Sequence, residues 1–277
     1  MYLACNYHPE VYRLVENNII DIDYFKFPAL PLQMDIIKTY DLGKFDKFMK
    51  KLRKLRPVII HGLNPSKHNI GSEDFIKDLD TGIVKQVLDI SGSRGISLHL
   101  AGLDLSKSKD ENIYLVSKNA YFLRNEFPGL DFISLENVDS FDEFGYAVDS
   151  DFICGVIKSS ECDFLLDISH AYQVAKETKD NFENYLYSLP LDRTYEIHLN
   201  GWIEKGDKIM CHTKINEKGY NILESLLFEI TPKILTLEYG IEQDELDCGA
   251  PVMDKKGFNE RAEREIIEQV ERLREII

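Results

Sequence analysis

The chain has 277 residues, enough for one large domain or two small ones, and long enough for a closed barrel of eight parallel strands, which needs about 250 residues. Its net charge of −15 argues against broad, sequence-independent binding to nucleic acid, because such binding needs a basic surface. No apolar run approaches the roughly 20 residues that span a bilayer, and the N-terminus shows no basic, cleavable secretion signal, so neither a membrane protein nor a secreted one is expected.

The cysteine usage indicates a reducing compartment, and we expect a cytoplasmic protein. The five cysteines, Cys5, Cys154, Cys162, Cys211 and Cys248, are an odd number and form no C-x-x-C pair, so a disulfide framework is not expected. A lone cysteine is most often a small buried apolar side chain, and we expect that role at Cys5, Cys154 and Cys162. Cys211 adjoins His212, which gives a functional role more weight at that position.

Eight short apolar runs have the length and composition of β-strands, and they recur along the whole chain. In chain order they lie at residues 2–5, 21–27, 58–61, 96–99, 131–136, 163–167, 195–199 and 234–238. From the third run onward the spacing is roughly 30–40 residues, which leaves room for a helix and two loops between successive strands.

Between these strands, apolar residues recur three and four positions apart, the spacing of a helix that covers a core. The pattern predicts helices at 44–56, 73–90, 220–230 and 260–277, and a loop at 243–257. The basic run at 50–56 is interpreted as a solvated helix face, because its charges suit a helix C-terminus.

Alternation of strand and helix with short connections implies right-handed crossovers and a parallel sheet. Eight such repeats predict closure into a single (β/α)8 TIM barrel over residues 1–277, with a C-terminal helix at 257–277 packing on the barrel. An open, doubly wound sheet is the alternative. It is disfavoured because the sequence holds no glycine-rich phosphate-binding loop.

Polar residues stand at the ends of six of these strands, in positions where a barrel gathers side chains at one mouth. They are His61, His99, Glu136, Asp167, His198 and Glu238, and His170 and His212 follow shortly after two of the strand ends. By contrast, we expect His8 and His68 at the surface or in loops.

A carboxylate at the end of a buried strand is costly unless it is paired or binds a metal. Among the predicted strands, only Lys26 offers a basic partner at the same level, so ion pairing inside the barrel is the weaker interpretation. Mixed imidazole and carboxylate ligands suit iron, manganese or zinc. Since a single catalytic zinc needs only three protein ligands, so many candidates favour a centre with more than one ion.

The ordered motifs resemble a TIM-barrel family, the multinuclear non-haem iron-dependent oxidative enzymes, whose best-known member acts in methanobactin biosynthesis. The resemblance covers nearly the whole chain and includes Leu-Ala-Cys-Asn-Tyr at 3–7, Asp-Tyr-Phe-Lys at 23–26, His61-Gly62, Leu-His-Leu at 98–100, Leu-Glu-Asn at 135–137, Leu166-Asp167, Ile-His-Leu-Asn-Gly at 197–201, His212 with Ile-Asn-Glu at 215–217, and Leu237-Glu238. The wider superfamily of xylose-isomerase-like and endonuclease-like barrels shares part of this set.

The resemblance implies a cluster of two or three irons. By motif, the first iron is held by His61, His99 and Glu136, and the second by Glu136, Asp167, His198 and Glu238, so these six residues would carry the catalysis. His170 and His212 would hold a third iron. The family typically has an aspartate two residues before the histidine that matches His212, whereas this chain has Met210, and a thioether is a poor ligand for iron.

The resemblance also implies the activity: iron- and dioxygen-dependent oxidation of a ribosomally made peptide at cysteine or asparagine, ending in rearrangement or cleavage. Many family members work with a peptide-binding partner protein, so a partner is expected here. The alternative is a hydrolase or isomerase that uses zinc, manganese or magnesium without redox change. A third possibility is a barrel that has lost catalysis and acts as a binding protein, and metal identity separates the first two classes.

Overall fold

The computed structural model describes residues 1–28, 42–63, 69–205, 208–240 and 260–277. Its strands are β1 (Tyr2–Asn6), β2 (Tyr24–Pro28), β3 (Val58–His61), β4 (Gly95–His99), β5 (Phe132–Glu136), β6 (Asp163–Asp167), β7 (Thr194–Leu199), β8 (Gly201–Lys205), β9 (Lys208–Thr213) and β10 (Ile234–Leu237). Eight of them close into a barrel in the order β1-β10-β7-β6-β5-β4-β3-β2, and β1 pairs in parallel with both β10 and β2. The predicted TIM barrel is confirmed.

The helices surround this barrel. They are α1 (Pro9–Glu16), α2 (Leu42–Arg53), α3 (Phe75–Asp78), α4 (Thr81–Ser91), α5 (Lys109–Glu126), α6 (Phe141–Phe144), α7 (Ser150–Ser160), α8 (Ile168–Thr178), α9 (Phe182–Ser188), α10 (Glu217–Glu229) and α11 (Glu260–Ile276). The single helix predicted at 73–90 is wrong, because the chain breaks into α3 and α4 where the Asp80 side chain accepts a hydrogen bond from the Ile83 N–H and caps α4. None of the described helices has the length and apolar character needed to cross a bilayer.

A hairpin interrupts the regular alternation after β7. Strands β8 and β9 pair antiparallel outside the barrel, with Gly201 opposite Thr213 and Glu204 opposite Ile209. The sequence pattern predicted a helix at 220–230 between β7 and the last strand of the barrel, and it did not reveal this hairpin. It places His212 back over the barrel mouth.

The barrel interior is layered along its axis. At the N-terminal end, Ala4, Ile59 and Ile234 form a small apolar cluster. Above it, Lys26 from β2 reaches Glu196 on β7 across the interior, and the side chains of both are fully buried. The polar side chains of the strand ends lie above this ion pair, at the C-terminal end of the barrel. The main apolar core fills the space between strands and helices.

Helix α11 packs on the outside of the barrel, against α1 and against the segment that follows the hairpin. Arg13 of α1 pairs with Glu263, and the Gln269 side chain accepts a hydrogen bond from the Ile215 N–H. Arg272 forms a 2.6 Å ion pair with Glu217 at the start of α10. These contacts tie α11 to α1 and to the segment that follows the hairpin.

Two predictions about single residues need correction. His8 does lie in a loop, the connection from β1 to α1, but it is buried rather than at the surface, because this connection is only two residues long and holds both Tyr7 and His8 against the barrel. Cys154 is only partly buried, whereas Cys5 and Cys162 are fully buried as expected. His68, Cys248 and the loop predicted at 243–257 lie outside the described residues.

Candidate metal centre

All eight side chains singled out from the sequence lie together at the C-terminal mouth of the barrel. Their ligand atoms fall into four groups, and within each group the atoms lie within 4.8 Å of one another. The groups are His61 with His198 and Glu238; His61 with His99 and Glu136; Asp167 with His170 and His212; and Glu136 with Asp167, His198 and Glu238.

Glu136 is the carboxylate at the middle of this arrangement. Its Oε2 lies 3.2 Å from Nε2 of His61 and 3.2 Å from Nε2 of His99. Its Oε1 lies 3.3 Å from Nδ1 of His198. The side chain is buried, and neither oxygen accepts a hydrogen bond from any described residue. A buried carboxylate without donors is costly, and a cation between it and the imidazoles would remove that cost.

The two carboxylate oxygens of Asp167 make different contacts. Oδ1 accepts hydrogen bonds from Ser169 Oγ at 2.7 Å and from the His170 N–H at 2.8 Å, which caps α8. Oδ2 accepts from Asn200 Nδ2 at 3.1 Å and lies 3.9 Å from Nε2 of His170. One oxygen therefore holds the start of α8, and the other stays directed at the centre.

Asn137 fixes the position of β6 and the ring of His170. Its side chain exchanges hydrogen bonds with the Asp167 backbone, at 2.8 Å to the N–H and 3.0 Å to the carbonyl. Its own carbonyl lies 2.8 Å from Nδ1 of His170. Because a carbonyl only accepts, Nδ1 carries the proton, and Nε2 is left as the nitrogen that can bind a metal.

His212 reaches the centre through an uncommon backbone conformation. Its φ of 57° lies in the left-handed region, which non-glycine residues occupy rarely and often at functional sites. Asn200 Oδ1 accepts from the His212 N–H at 2.9 Å, and the His212 carbonyl accepts from the Gly240 N–H at 2.7 Å. The ring then lies with its Nε2 at 3.5 Å from Oε2 of Glu238.

The base of the hairpin requires glycine at position 201. A Cβ added there would lie 1.8 Å from the Lys214 carbonyl oxygen. We expect Gly201→Ala to displace β9 and to weaken the binding of the ion closest to His212, while ions held by the barrel strands stay bound. Titration of the metal-free variant with Fe²⁺ measures this loss, and Gly129→Ala, with nothing within 4 Å of the added Cβ, is the matched control. Unchanged stoichiometry and affinity in Gly201→Ala would contradict this role for the hairpin.

The third group contains a carboxylate even though position 210 is a methionine. Asp167 of β6 stands with His170 and His212 in that group, so a carboxylate is present there without an aspartate at position 210. We expect Met210→Asp to add a fourth oxygen or nitrogen ligand and to raise the amount of metal retained after dialysis against a weak chelator. The isosteric Met210→Leu is the control. Equal retention in the two variants would show that the Met210 side chain faces away from this group.

Lys26 does not pair with the carboxylates of the centre. Its Nζ lies 2.6 Å from Glu196 Oε2, 2.7 Å from Glu196 Oε1 and 2.8 Å from Ser97 Oγ. Among the described residues, Glu136, Asp167 and Glu238 therefore form no ion pair with lysine or arginine. Sequence reasoning named Lys26 as the one basic candidate and did not identify Glu196 as its partner.

The pKa values show how the charges of the centre are balanced by protons. Burial alone raises the pKa of Glu136, but His99, His198 and His61 outweigh it and hold the pKa below its usual value. Burial lowers the pKa of His61 to about 3, which keeps that imidazole neutral. Burial raises the pKa of Asp167, and burial opposed by Glu238 and Glu136 leaves the pKa of His198 well above its usual value. Metal binding must displace these protons, so affinity rises with pH.

Comparison with known proteins identifies the family of this chain. Residues 34–247 match the model of a family described as "RiPP precursor modification enzyme MbnB/TglH/ChrH", where RiPP stands for a ribosomally synthesised and post-translationally modified peptide. The chain belongs to this family. The resemblance drawn from the motifs is confirmed, and with it an enzyme family whose substrates are precursor peptides.

Individual relatives agree with this assignment. A UPF0276 protein of Acaryochloris marina is 27% identical over 209 residues, covering 70% of this chain and 72% of that protein. Among solved structures, a xylose isomerase domain-containing protein of Salmonella typhimurium has a TM-score of 0.65 at 11% identity, covering 98% of this chain and 95% of that one. The IolI protein with a bound zinc atom has a TM-score of 0.56 at 14% identity, covering 86% and 89%. At such identities the structural likeness shows the fold alone.

Sequence reasoning missed Asn137, Asn200 and Glu196. Asn137 directly follows Glu136, and Asn200 and Glu196 each stand two positions from His198, so all three are polar residues inside otherwise buried strand ends. The presence of these polar residues could be seen in the sequence. Their hydrogen-bond partners could not be predicted, because the partners depend on which strands become neighbours.

Proposed function

We propose that this protein is an iron- and dioxygen-dependent enzyme that oxidises a precursor peptide at cysteine or asparagine, leading to rearrangement or cleavage. The observation that carries the proposal is Glu136: a buried carboxylate that accepts no hydrogen bond, faces three imidazoles and belongs to two separate groups of potential ligands. Family membership supports the precursor peptide as substrate.

The ligand groups favour at least two ions. His61 and His99 form one set with Glu136, and Asp167, His198 and Glu238 form another with the same carboxylate. A single ion is usually satisfied by three or four protein ligands, so six would be more than one ion needs. If Glu136 were shared by two ions, all six residues would serve as ligands, and Asp167 with His170 and His212 could hold a third ion.

The donors fit iron. They are imidazole nitrogens and carboxylate oxygens, and none of the four groups in the described part of the chain includes a cysteine. This set suits iron, manganese or zinc, and of these, iron matches the oxidative chemistry of the family that the motifs resemble. Bound iron would supply dioxygen activation and electron transfer, while the protein orients the ligands and limits the access of water.

The open side of the centre lies at His99. Its side chain is 47% exposed, whereas that of Glu136 is 1% and that of His198 is 0% exposed. The segments that follow β3, β4 and β5 form a half-open pocket of about 210 Å³, lined by Asn69, Ala101, Gly102, Leu103, Leu105, Glu143, Phe144 and Ala147. A peptide that entered at this side could place one side chain in this pocket, which polar and apolar residues line together, while another part of the peptide approached His99. The net charge of −15 favours a basic leader peptide or a basic partner protein that delivers it.

The test is oxidation of a peptide. The protein is loaded with Fe²⁺ without oxygen, mixed with the short peptides encoded beside its gene, and exposed to isotopically labelled dioxygen. We expect oxygen consumption and a peptide mass change that both require iron. A peptide changed equally by zinc- or manganese-loaded protein without oxygen would contradict the proposal and support the hydrolase or isomerase alternative.

A further inference from the structure

A buried ion pair lies directly beneath the centre and belongs to neither the apolar core nor the ligand groups. Lys26 and Glu196 have side-chain exposures of 0%, as does His198 above them. The interior of such a barrel is normally filled by valine, isoleucine and leucine. Because apolar side chains of similar size often replace a buried ion pair without loss of stability, stability alone does not explain this pair.

Glu196 contacts three strands and one ligand of the centre. Its Oε1 accepts from Lys26 Nζ at 2.7 Å and from Thr236 Oγ1 at 2.5 Å, and its Oε2 accepts from Lys26 Nζ at 2.6 Å and from Ser97 Oγ at 3.2 Å. Oε1 also lies 3.2 Å from Nε2 of His198. The carboxylate is thus held from β2, β4 and β10 at a fixed place under the His198 ring.

The two nitrogens of His198 face different surroundings. Nε2 faces Glu196, while Nδ1 lies 3.0 Å from Oε2 of Glu238 and 3.3 Å from Oε1 of Glu136. This 3.2 Å contact does not have the alignment of a hydrogen bond, but a carboxylate oxygen can act only as an acceptor, so its position favours a proton on the nitrogen that faces it. The lone pair of Nδ1 is then directed at the carboxylates that would share a metal with it.

We propose that Glu196, held in place by Lys26, is a positioning residue that fixes the His198 ring and makes Nδ1 its metal-binding nitrogen. This inference rests on the metal centre of the proposed function. A carboxylate that orients a ligating imidazole in this way commonly changes metal affinity by about 10–100-fold when it is removed. Lys26 serves the same end, since it holds the carboxylate and cancels its charge.

The test compares two double variants with the wild type. In Lys26→Met/Glu196→Leu, both charges and the acceptor are lost, and we expect a folded protein whose tightest-bound Co²⁺ or Fe²⁺ is released about 10–100-fold more readily to a competing chelator. In Lys26→Met/Glu196→Gln, an amide oxygen can take the place of the carboxylate oxygen as an acceptor opposite Nε2, so most of the affinity should return. The visible absorption of bound Co²⁺ should change in the leucine variant and recover in the glutamine variant.

A matched control removes an ion pair far from the mouth. Arg94 and Asp131 form a 2.7 Å pair at the N-terminal ends of β4 and β5, and Arg94→Ala/Asp131→Ala should bind metal as the wild type does. If both Lys26/Glu196 variants bind metal like the wild type, or if the glutamine variant is no better than the leucine variant, the positioning role is wrong. If the wild type itself binds no metal, the proposed function is wrong, and the positioning role is wrong as well.

A second measurement does not depend on the variants folding. In the wild-type protein labelled with ¹⁵N-histidine and loaded with Zn²⁺, the nitrogen shifts of His198 report which nitrogen is protonated and which binds metal. We expect a protonated Nε2 and a metal-bound Nδ1. A metal-bound Nε2 would overturn the inference directly.

Discussion

Replacing Glu136 with alanine is expected to remove at least two ions per chain and to abolish peptide oxidation. The Glu136 carboxylate lies within 3.3 Å of nitrogens of His61, His99 and His198, so its loss takes a ligand from both sets at once. His198→Ala should have a similar effect on metal content, because His198 belongs to two of the groups. Metal content is measured by plasma mass spectrometry on proteins purified without oxygen.

The control is an exposed glutamate away from the mouth. Glu126 is exposed at the end of α5, and Glu126→Gln should retain full metal content and activity. Glu136→Gln keeps the shape of the side chain but removes its negative charge, which should weaken metal binding. The metal content of this variant should therefore fall between that of the wild type and that of the alanine variant. Wild-type metal content in Glu136→Ala would count strongly against the shared-carboxylate arrangement.

Removing the metal is expected to lower the melting temperature by about 10 °C. At a metal concentration about 1,000 times Kd, binding to the folded state alone contributes about 4 kcal/mol, and in chains of roughly this size 1 kcal/mol corresponds to about 2–4 °C. Without cations, Glu136, Asp167 and Glu238 remain buried together with no lysine or arginine partner among the described residues. Thermal unfolding with and without a strong chelator measures the difference.

The decrease in melting temperature on metal removal should depend on pH. Burial opposes protonation of His170, but Asp167 and Glu136 outweigh it and raise the pKa of this imidazole. In the metal-free protein its charged form therefore stabilises the fold below its usual pKa of 6.5, and this stabilisation is lost as the pH rises through the raised value. Metal affinity increases over the same range, so the chelator should lower the melting temperature more at pH 8 than at pH 6. An equal effect at both values would contradict the proton–metal exchange.

The barrel was predictable because its strands are short apolar runs, six of which end in a polar residue. Burial of these runs on both faces, and the room for a helix between them, leave few alternatives to a closed parallel sheet. The position of the six strand-end side chains at one mouth follows from the same reasoning, since the strands all point the same way. Their role as metal ligands stays a prediction.

The hairpin could not be derived from the same pattern. Strands β8 and β9 lie outside the barrel, and their place is set by packing on α8, where Trp202 stacks on Tyr172 at 4.7 Å between ring centroids and Tyr172 donates to Glu204 at 2.7 Å. Neither contact has a periodic signal in the sequence. The backbone N–H of His212, a residue with a left-handed conformation, is held by the side chain of Asn200, which lies between β7 and β8.

The pairing inside the barrel was also beyond sequence reasoning. Glu196 and His198 are two positions apart on β7 and therefore face the same side, which the alternation of a strand does reveal. That Lys26 reaches Glu196 rather than Glu136 depends on the relative stagger of β2 and β7, which are not neighbours in the barrel. Likewise, nothing in the sequence shows that Asp167 caps α8 with one oxygen while it offers the other to the centre.

The most direct test of the central claim is the metal content of the wild-type protein, purified without added metal and without oxygen and measured by plasma mass spectrometry. We predict two or three irons per chain. Zinc or manganese in place of iron would contradict the oxidative function and favour a hydrolase or isomerase. Protein that holds no metal, and takes up none when Fe²⁺ is added, would contradict the metal centre itself.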